Sequence, residues 1–496
     1  MRFLFLFPHI YGLFHIFNSK TKTTNSMKRR SFIQKSAAAS AAFTIVPSYV
    51  LGKTHVPPSD TLYIGAVGVG GRGESVVREL YETGRVKFVA LCDVDDLRAK
   101  NSYEAHPEAK RYRDFRQMYD RHINDMDAVM VATPDHTHAT IALPFMREKK
   151  HAYVEKPLTH NINEARLMAE VAAQMGIVTQ MGNQGSSSDG IRSAQEWIEA
   201  GVIGKVNRVD CWTNRPVWPQ GFKHITTADP IPDTLDWDLW LGPAAMRPYN
   251  KNYLPFKWRG FWDFGTGSMG DMGCHIMETP FKTLGLKFPY EAEASCTTIW
   301  SNDFVEANYP EACPPSSIVR LKFKDKQQQD ISLNWYDGGI MPDLPPVLKD
   351  GEIPGDVSGG SIFHGTDGIM VTDTYSRNPR LLPSERMLDF VPPEERLTRV
   401  KTSHAGNFVA ACLDGGETSS PFSYAGPLTE AVLMGNLAIK GFQYKVLKEG
   451  KGPNDWSPYN YPGRKTILWN GDDMRVTNWD YANKWVKGTY REGWIL

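Results

Sequence analysis

Between residues 60 and 182 short apolar runs alternate with stretches of helical period. The runs at 62–67, 87–92, 127–132, 152–154 and 178–181 read as strands buried on both faces of a parallel sheet. Helices are expected at 74–83, 139–148 and 161–176, the last with Ala165, Met168, Ala172 and Met175 recurring on one face. Strand and helix in alternation predict a doubly wound α/β unit. Beyond residue 183 the pattern changes. A helix at 191–200 and a strand at 206–214 lead into a segment crowded with Trp, Pro, Gly and Asp. After it, 292–299, 317–323 and 329–335 alternate with period two, as antiparallel strands with one covered face do. Residues 339–360 form a Pro/Gly/Asp-rich insertion, and helices at 404–414 and 428–440 are expected to return and brace the two parts.

The first strand runs into Gly68-Val69-Gly70-Gly71-Arg72-Gly73 and then a helix, which is G-x-G-x-x-G in the context that a dinucleotide site requires. Gly68 permits the tight turn, Gly70 lets backbone approach a pyrophosphate, and Gly73 allows close helix packing; Gly71 and Arg72 belong to the same turn. The second strand ends at Asp93, twenty residues after Gly73, where an acidic group binds the ribose 2′-hydroxyl. No basic residue adjoins Asp93, so NAD is favoured over NADP, although Arg72 and Arg98 have the reach to turn toward a phosphate.

The third and fourth runs end in Thr133-Pro134-Asp135-His136-Thr137-His138 and in Glu155-Lys156-Pro157. Taken in order, the glycine motif, TPDHTH and EKP resemble the Gfo/Idh/MocA family, named for glucose-fructose oxidoreductase and inositol dehydrogenase. The resemblance spans residue 60 to the end of the chain. It implies an N-terminal Rossmann domain at 60–182, with a doubly wound parallel sheet, and a C-terminal α+β domain at 183–496 with a large open, mostly antiparallel sheet. It places Thr133, Pro134, His136, His138, Glu155 and Lys156 beside the cofactor and makes Asn183 the start of the crossover into the substrate domain, also on the cofactor side. Assembly into a homo-oligomer through the open sheet face is implied as well. The tail from 468 resembles a longer subfamily of exported bacterial members.

Asp271 and His275 stand four apart, so a helix starting there puts both on one face. In the family a D-x-x-x-H pair at this point works with the EKP lysine. Removing hydride from a secondary alcohol needs a base for the hydroxyl proton, and histidine titrates near the working pH. His275 is therefore expected as that base, Lys156 as the charge that stabilises the developing oxyanion, and Asp271 as the group that orients both or binds a neighbouring hydroxyl. No metal is needed, because the lysine supplies the charge. Six tryptophans between 212 and 262 offer flat faces to the C–H face of a sugar, and one or two are expected to contact it. The leading expectation is an NAD-dependent oxidoreductase acting on a hydroxyl carbon of a sugar, polyol or glycoside. Alternatives are a redox-neutral glycosidase or lyase that retains NAD, and a non-catalytic protein that binds a sugar or a dinucleotide.

Composition narrows the field further. With 496 residues, 41% apolar and 23% charged, the chain suits two domains and excludes a disordered one. Lys plus Arg equals Asp plus Glu at 56 each, so no net field attracts nucleic acid. The six cysteines, at 92, 211, 274, 296, 313 and 412, show no metal spacing and predict neither a zinc site nor a disulfide. The apolar stretch 1–17 is short for a membrane span. From Met27, Lys28-Arg29-Arg30-Ser31-Phe32-Ile33-Gln34-Lys35 and the small-residue run after it resemble a twin-arginine export signal. Residues 1–52 are read as a leader, with Met27 as the natural start. The protein is then expected in the periplasm or secreted, touching a membrane only if the leader is kept.

Overall fold

The computed structural model describes residues 60–496; the expected leader, with Met27, Arg29 and Arg30, lies outside the described residues. Two sheets organise the chain. The first contains β1 (Leu62–Val67), β2 (Val86–Cys92), β3 (Lys110–Tyr112), β4 (Ala128–Val131), β5 (His151–Val154) and β6 (Thr179–Met181). They lie in the order β3-β2-β1-β4-β5-β6 and every pair is parallel. The strand order reverses between β1 and β4, so a crevice opens there beyond the strands' carboxyl ends.

Helices α1 (Arg72–Tyr81), α2 (Asp96–Ala105), α3 (Phe115–His122), α4 (His138–Arg147) and α5 (Ile162–Met175) connect these strands. The bounds of α5 are written locally: Asn161 and Glu164 form a capping box, and Gly176 closes the helix in the left-handed region. The apolar pattern predicts nothing between residues 93 and 127, yet α2, β3 and α3 fill that stretch. Most of their positions are exposed and polar, which dilutes the period.

The second part adds α6 (Asp189–Glu199), β7 (Val206–Thr213), α7 (Trp237–Leu241), α8 (Gly267–Ile276), α9 (Glu278–Leu284) and β8 (Glu291–Cys296). A short hairpin of β9 (Trp300–Asn302) and β10 (Val305–Glu306) follows, then β11 (Ser317–Lys324), β12 (Asp330–Tyr336), β13 (Gly359–Gly365), β14 (Gly368–Asp373) and β15 (Arg380–Leu382). The chain ends with α10 (His404–Asp414), α11 (Phe422–Gln443), the small pair β16 (Val446–Leu447) and β17 (Tyr459–Asn460), then β18 (Ile467–Asn470) and β19 (Arg475–Val476). Nine strands make the large sheet, in the order β15-β14-β13-β7-β12-β11-β8-β18-β19. All its pairs are antiparallel except β7 with β12.

One face of this sheet is core. Val319, Leu321, Phe323, Leu333 and Trp335 pack with Leu428, Val432 and Leu437 of α11. The other face is polar, with cross-strand ion pairs Lys322–Glu291 at 2.9 Å and Lys324–Asp330 at 2.7 Å. The two late helices divide their work. Ala405, Phe408 and Val409 of α10 join Leu62, Ile64 and Phe88 in the core of the first sheet, whereas α11 packs between α5 and the second sheet. All six cysteines are free thiols. Among the described residues no helix is long and apolar enough to cross a membrane.

Candidate active site

A cavity of about 470 Å³ runs from the turn after β1 to the start of α8. Its first end is the glycine motif. Gly68 has φ +76°, and a Cβ there would lie 2.8 Å from backbone atoms of Ala132 and Thr133, so only glycine fits. Gly73 does not line the cavity. A Cβ on it would stand 1.8 Å from the Gly68 carbonyl oxygen, which is the close packing expected of the third glycine. No side chain caps α1 at Gly71; the Gly73 N–H turns back to the Gly70 carbonyl at 3.1 Å, and the rest of the helix start faces the cavity as a place for an anion. Asp93 Oδ2 accepts from the backbone N–H of Val69 at 2.9 Å and of Gly70 at 3.0 Å, and its Oδ1 accepts from Asp95 N at 3.0 Å. Burial pushes its pKa up to about 6 against the pull of those three donors. Asp93 thus holds the glycine turn and also lines the cavity. The uncapped helix start, the glycine cradle and this carboxylate fit a dinucleotide's pyrophosphate and ribose.

The TPDHTH segment is divided. Thr133, Pro134, Asp135 and Thr137 line the cavity, and His136 and His138 do not. The 3-10 turn Asp135–Thr137 directs alternate side chains inward and outward. His136 lies with its ring nitrogens 3.2 Å from the carbonyl oxygens of Phe264 and Trp240, and burial lowers its pKa to about 3, helped by His160. His138 bridges the carbonyls of Pro157 at 2.9 Å and Thr133 at 2.8 Å. Both are struts of the wall. Asn183 is fully buried and its neighbour Gln184 lines the cavity. Glu155 and Arg72 both face the cavity and are each other's partner, with Arg72 Nε 2.9 Å from Glu155 Oε1.

At the opposite end β5 delivers Lys156 and α8 delivers Asp271 and His275. Lys156 Nζ donates to the Asp271 carbonyl at 2.7 Å and to its carboxylate at 2.9 Å. Arg259 Nε donates to the same carboxylate oxygen at 3.2 Å, and Arg215 Nε stands 3.9 Å from the other. Burial alone would raise the Asp271 pKa, but Lys156 and Arg259 outweigh it and hold the carboxyl well below its ordinary range. His275 is 4% exposed, with an unpartnered buried Nδ1 and its ring edge-on to Tyr375 at 5.0 Å. Burial, then the charge of Lys156, push its pKa well below the usual value while Asp271 opposes them. The Asp271 carboxylate makes its contacts with Lys156, Arg259 and Arg215 and no hydrogen bond to His275. The helix also starts four residues earlier than Asp271, with Thr266 as its N-cap.

Of the six clustered tryptophans, Trp240 and Trp258 line the cavity. The sequence reading missed Arg215, Arg259, Gln184, Tyr375 and Trp494, all cavity residues. Two basic residues inside a tryptophan-rich stretch were the one available signal for the arginines. Tyr375 and Trp494 carry none, since each comes from a loop far along the chain.

Two models of one family match this chain: its "oxidoreductase family, NAD-binding Rossmann fold" over residues 62–183 and its "oxidoreductase family, C-terminal alpha/beta domain" over 188–288, the family being Gfo/Idh/MocA. A glycosyl hydrolase family 109 protein of Shewanella pealeana is 32% identical over 124 residues, 24% of this chain and 27% of the relative. Myo-inositol 2-dehydrogenase of Thermotoga maritima is 25% identical over 174 residues, 35% of this chain and 47% of the relative. The chain thus spans less than half the length of these curated relatives. Among solved structures, the WlbA dehydrogenase of Bordetella pertussis, in complex with NADH and UDP-GlcNAcA, shares the fold with a TM-score of 0.53 at 14% identity, covering 76% of this chain and 96% of that one.

Proposed function

We propose that this chain, an NAD-binding oxidoreductase fold of the Gfo/Idh/MocA family over residues 62–288, oxidises a hydroxyl-bearing carbon of a sugar, polyol or glycoside. The observation that carries this reading is the meeting of Lys156, Asp271 and His275 at one end of a cavity whose other end is the glycine turn. NAD, held by the turn and Asp93, supplies the hydride acceptor when bound.

The chain's own residues supply the rest. His275 is kept neutral by burial, so it is ready to take the hydroxyl proton. Lys156, pinned by two oxygens of Asp271, presents a fixed positive charge to the oxygen on which negative charge develops. Trp240 and Trp258 line the cavity and offer a sugar apolar contact. NAD is favoured over NADP because Asp93 would oppose a 2′-phosphate. Mass spectrometry of the protein as purified, for retained NAD, and single-turnover reduction of that cofactor by candidate sugars test the reading. Absence of any dinucleotide binding refutes it.

A second reading uses the same residues. The similarity to glycosyl hydrolase family 109 proteins favours a redox-neutral cycle, in which a sugar carbon is oxidised, the neighbouring glycosidic bond is eliminated with its oxygen leaving as an alcohol, water adds in its place and the hydride returns. Reduced cofactor accumulates in the first case and not in the second. Export from Met27 through the Arg29–Arg30 leader belongs to the proposal and rests on the sequence motif. A periplasmic enzyme has no free NAD supply, which favours a retained cofactor.

A further inference from the structure

The substrate end of the cavity has more positive charge than the proposed chemistry uses. Lys156, Arg259 and Arg215 surround one carboxylate, that of Asp271, at 2.9, 3.2 and 3.9 Å. Of the other carboxyl groups nearby, one has a cation of its own and the other, Asp135, attracts Arg259 and Lys156 without an ion pair to either. Glu155 pairs with Arg72, and Asp135 accepts the Thr266 hydroxyl at 2.6 Å, its pKa raised by burial. Three cations share the single carboxylate of Asp271, so positive charge is left over at this end. The two guanidinium charges are also sheltered, with side chains 23% and 20% exposed, so bulk water compensates them only in part.

Both guanidinium groups are held with an edge free. Arg259 lies between Phe256 and Trp258, its central carbon 4.3 Å from each ring centroid, and its Nη1 reaches only the Phe256 carbonyl at 3.4 Å. Arg215 Nη1 donates to Asn214 Oδ1 at 2.8 Å. The Nη2 atom of neither arginine has a hydrogen-bond partner among the described residues. A planar fork with a free edge recognises two oxygens of a carboxylate, phosphate or sulfate.

We propose that the substrate is an acidic sugar, whose anionic oxygens are bound by Arg215 and Arg259. This rests on the reading of the cavity as a sugar oxidoreductase site, and it adds the substrate's charge. Lys156 is left for the reacting oxygen, while the two arginines hold the anion and so fix which hydroxyl faces His275.

Calorimetric titration of the full chain saturated with NAD tests this, using D-glucuronate, D-galacturonate and D-glucose 6-phosphate against their neutral parents, D-glucose and D-galactose. At least one acid should bind about tenfold or more tighter than its parent, a gap that shrinks as salt is raised. The uronate and phosphate arms tell a carboxylate from a phosphate. Arg215→Gln should collapse the acid preference to within about threefold, and Arg215→Lys should keep part of it, because charge remains without the fork. NAD affinity, read in a separate titration of each variant without added cofactor, reports whether it is folded. The inference is overturned if no acid binds tighter than its parent, or if the preference survives in Arg215→Gln. Neutral sugars that reduce the cofactor as well as the acids would sink it and leave the oxidoreductase reading standing, whereas failure to bind NAD would sink that reading itself.

Discussion

Lys156 donates twice to Asp271, at 2.7 Å to its main-chain carbonyl and at 2.9 Å to its carboxylate, so one helical residue fixes both the position and the charge of the lysine. The contact joins the end of β5 to the second turn of α8 and closes the cavity between the two sheets. Lys156→Ala should lower turnover by about 10²–10³ and leave NAD affinity unchanged, because the lost charge faces the reacting oxygen and not the pyrophosphate. Equal turnover of variant and parent in single-turnover hydride transfer would remove Lys156 from the chemistry.

Asp271→Asn should be costly in a different way. It leaves Lys156, Arg259 and Arg215 facing an uncharged amide in a poorly hydrated wall, and breaking a buried pair this way costs about 3–5 kcal/mol. Urea denaturation measures it. A change under about 0.5 kcal/mol, the range of an ordinary surface substitution, would mean that water already neutralises these charges.

His275→Ala should reduce turnover by about 10²–10⁴ through lost proton transfer. Its depressed pKa sets the sign of the pH dependence: the neutral base persists as pH falls below the ordinary histidine value, so the acid limb of kcat/KM should lie well below that of a free imidazole. An acid limb at the free-imidazole value would assign the proton to another group. The Lys156/His275 double variant should lose much less than the product of the single effects, since the two serve one transition state.

Asp93 should bind NAD only while ionised. With its pKa pushed up to about 6, NAD affinity should decline as pH drops through that value, and Asp93→Ala should weaken NAD while narrowing the gap to NADP. Loss of a hydrogen bond to a charged group is worth roughly 1.5–3 kcal/mol. Fluorescence titration at several pH values checks both, and a flat profile would contradict the assignment.

His136→Gln should leave NAD affinity intact and change the acid stability. The folded pKa of His136 is about 3 and the unfolded value that of a free imidazole, so the stability is present above the unfolded value and is lost as pH falls toward the folded one. Removing that one titration should flatten the fall by about 1.4 kcal/mol per pH unit within the window. Denaturation curves across the window decide, and weaker NAD binding in the variant would restore His136 to the cofactor site.

Much of this protein is written in short stretches of sequence. The bounds of β1, the turn at Gly68 and the cap and stop of α5 at Asn161 and Gly176 follow from period, turn chemistry and spacing within some twenty residues, whereas Lys156, Asp271 and His275 are singled out by resemblance to a family's motifs. Period, turn chemistry and spacing are local rules, because they depend on backbone angles and on which face of an element is apolar. What sequence could not settle was direction and partnership. His136 and His138 occupy the expected motif but turn away from the cavity, a matter of one 3-10 turn. Lys156 and Asp271 lie 115 residues apart, and Arg215, Arg259, Tyr375 and Trp494 reach the cavity from loops and a tail with no motif. Their convergence is decided by the packing of α8 and the large sheet against the first sheet. A charge's partners, its burial and its pKa exist only once that packing is complete.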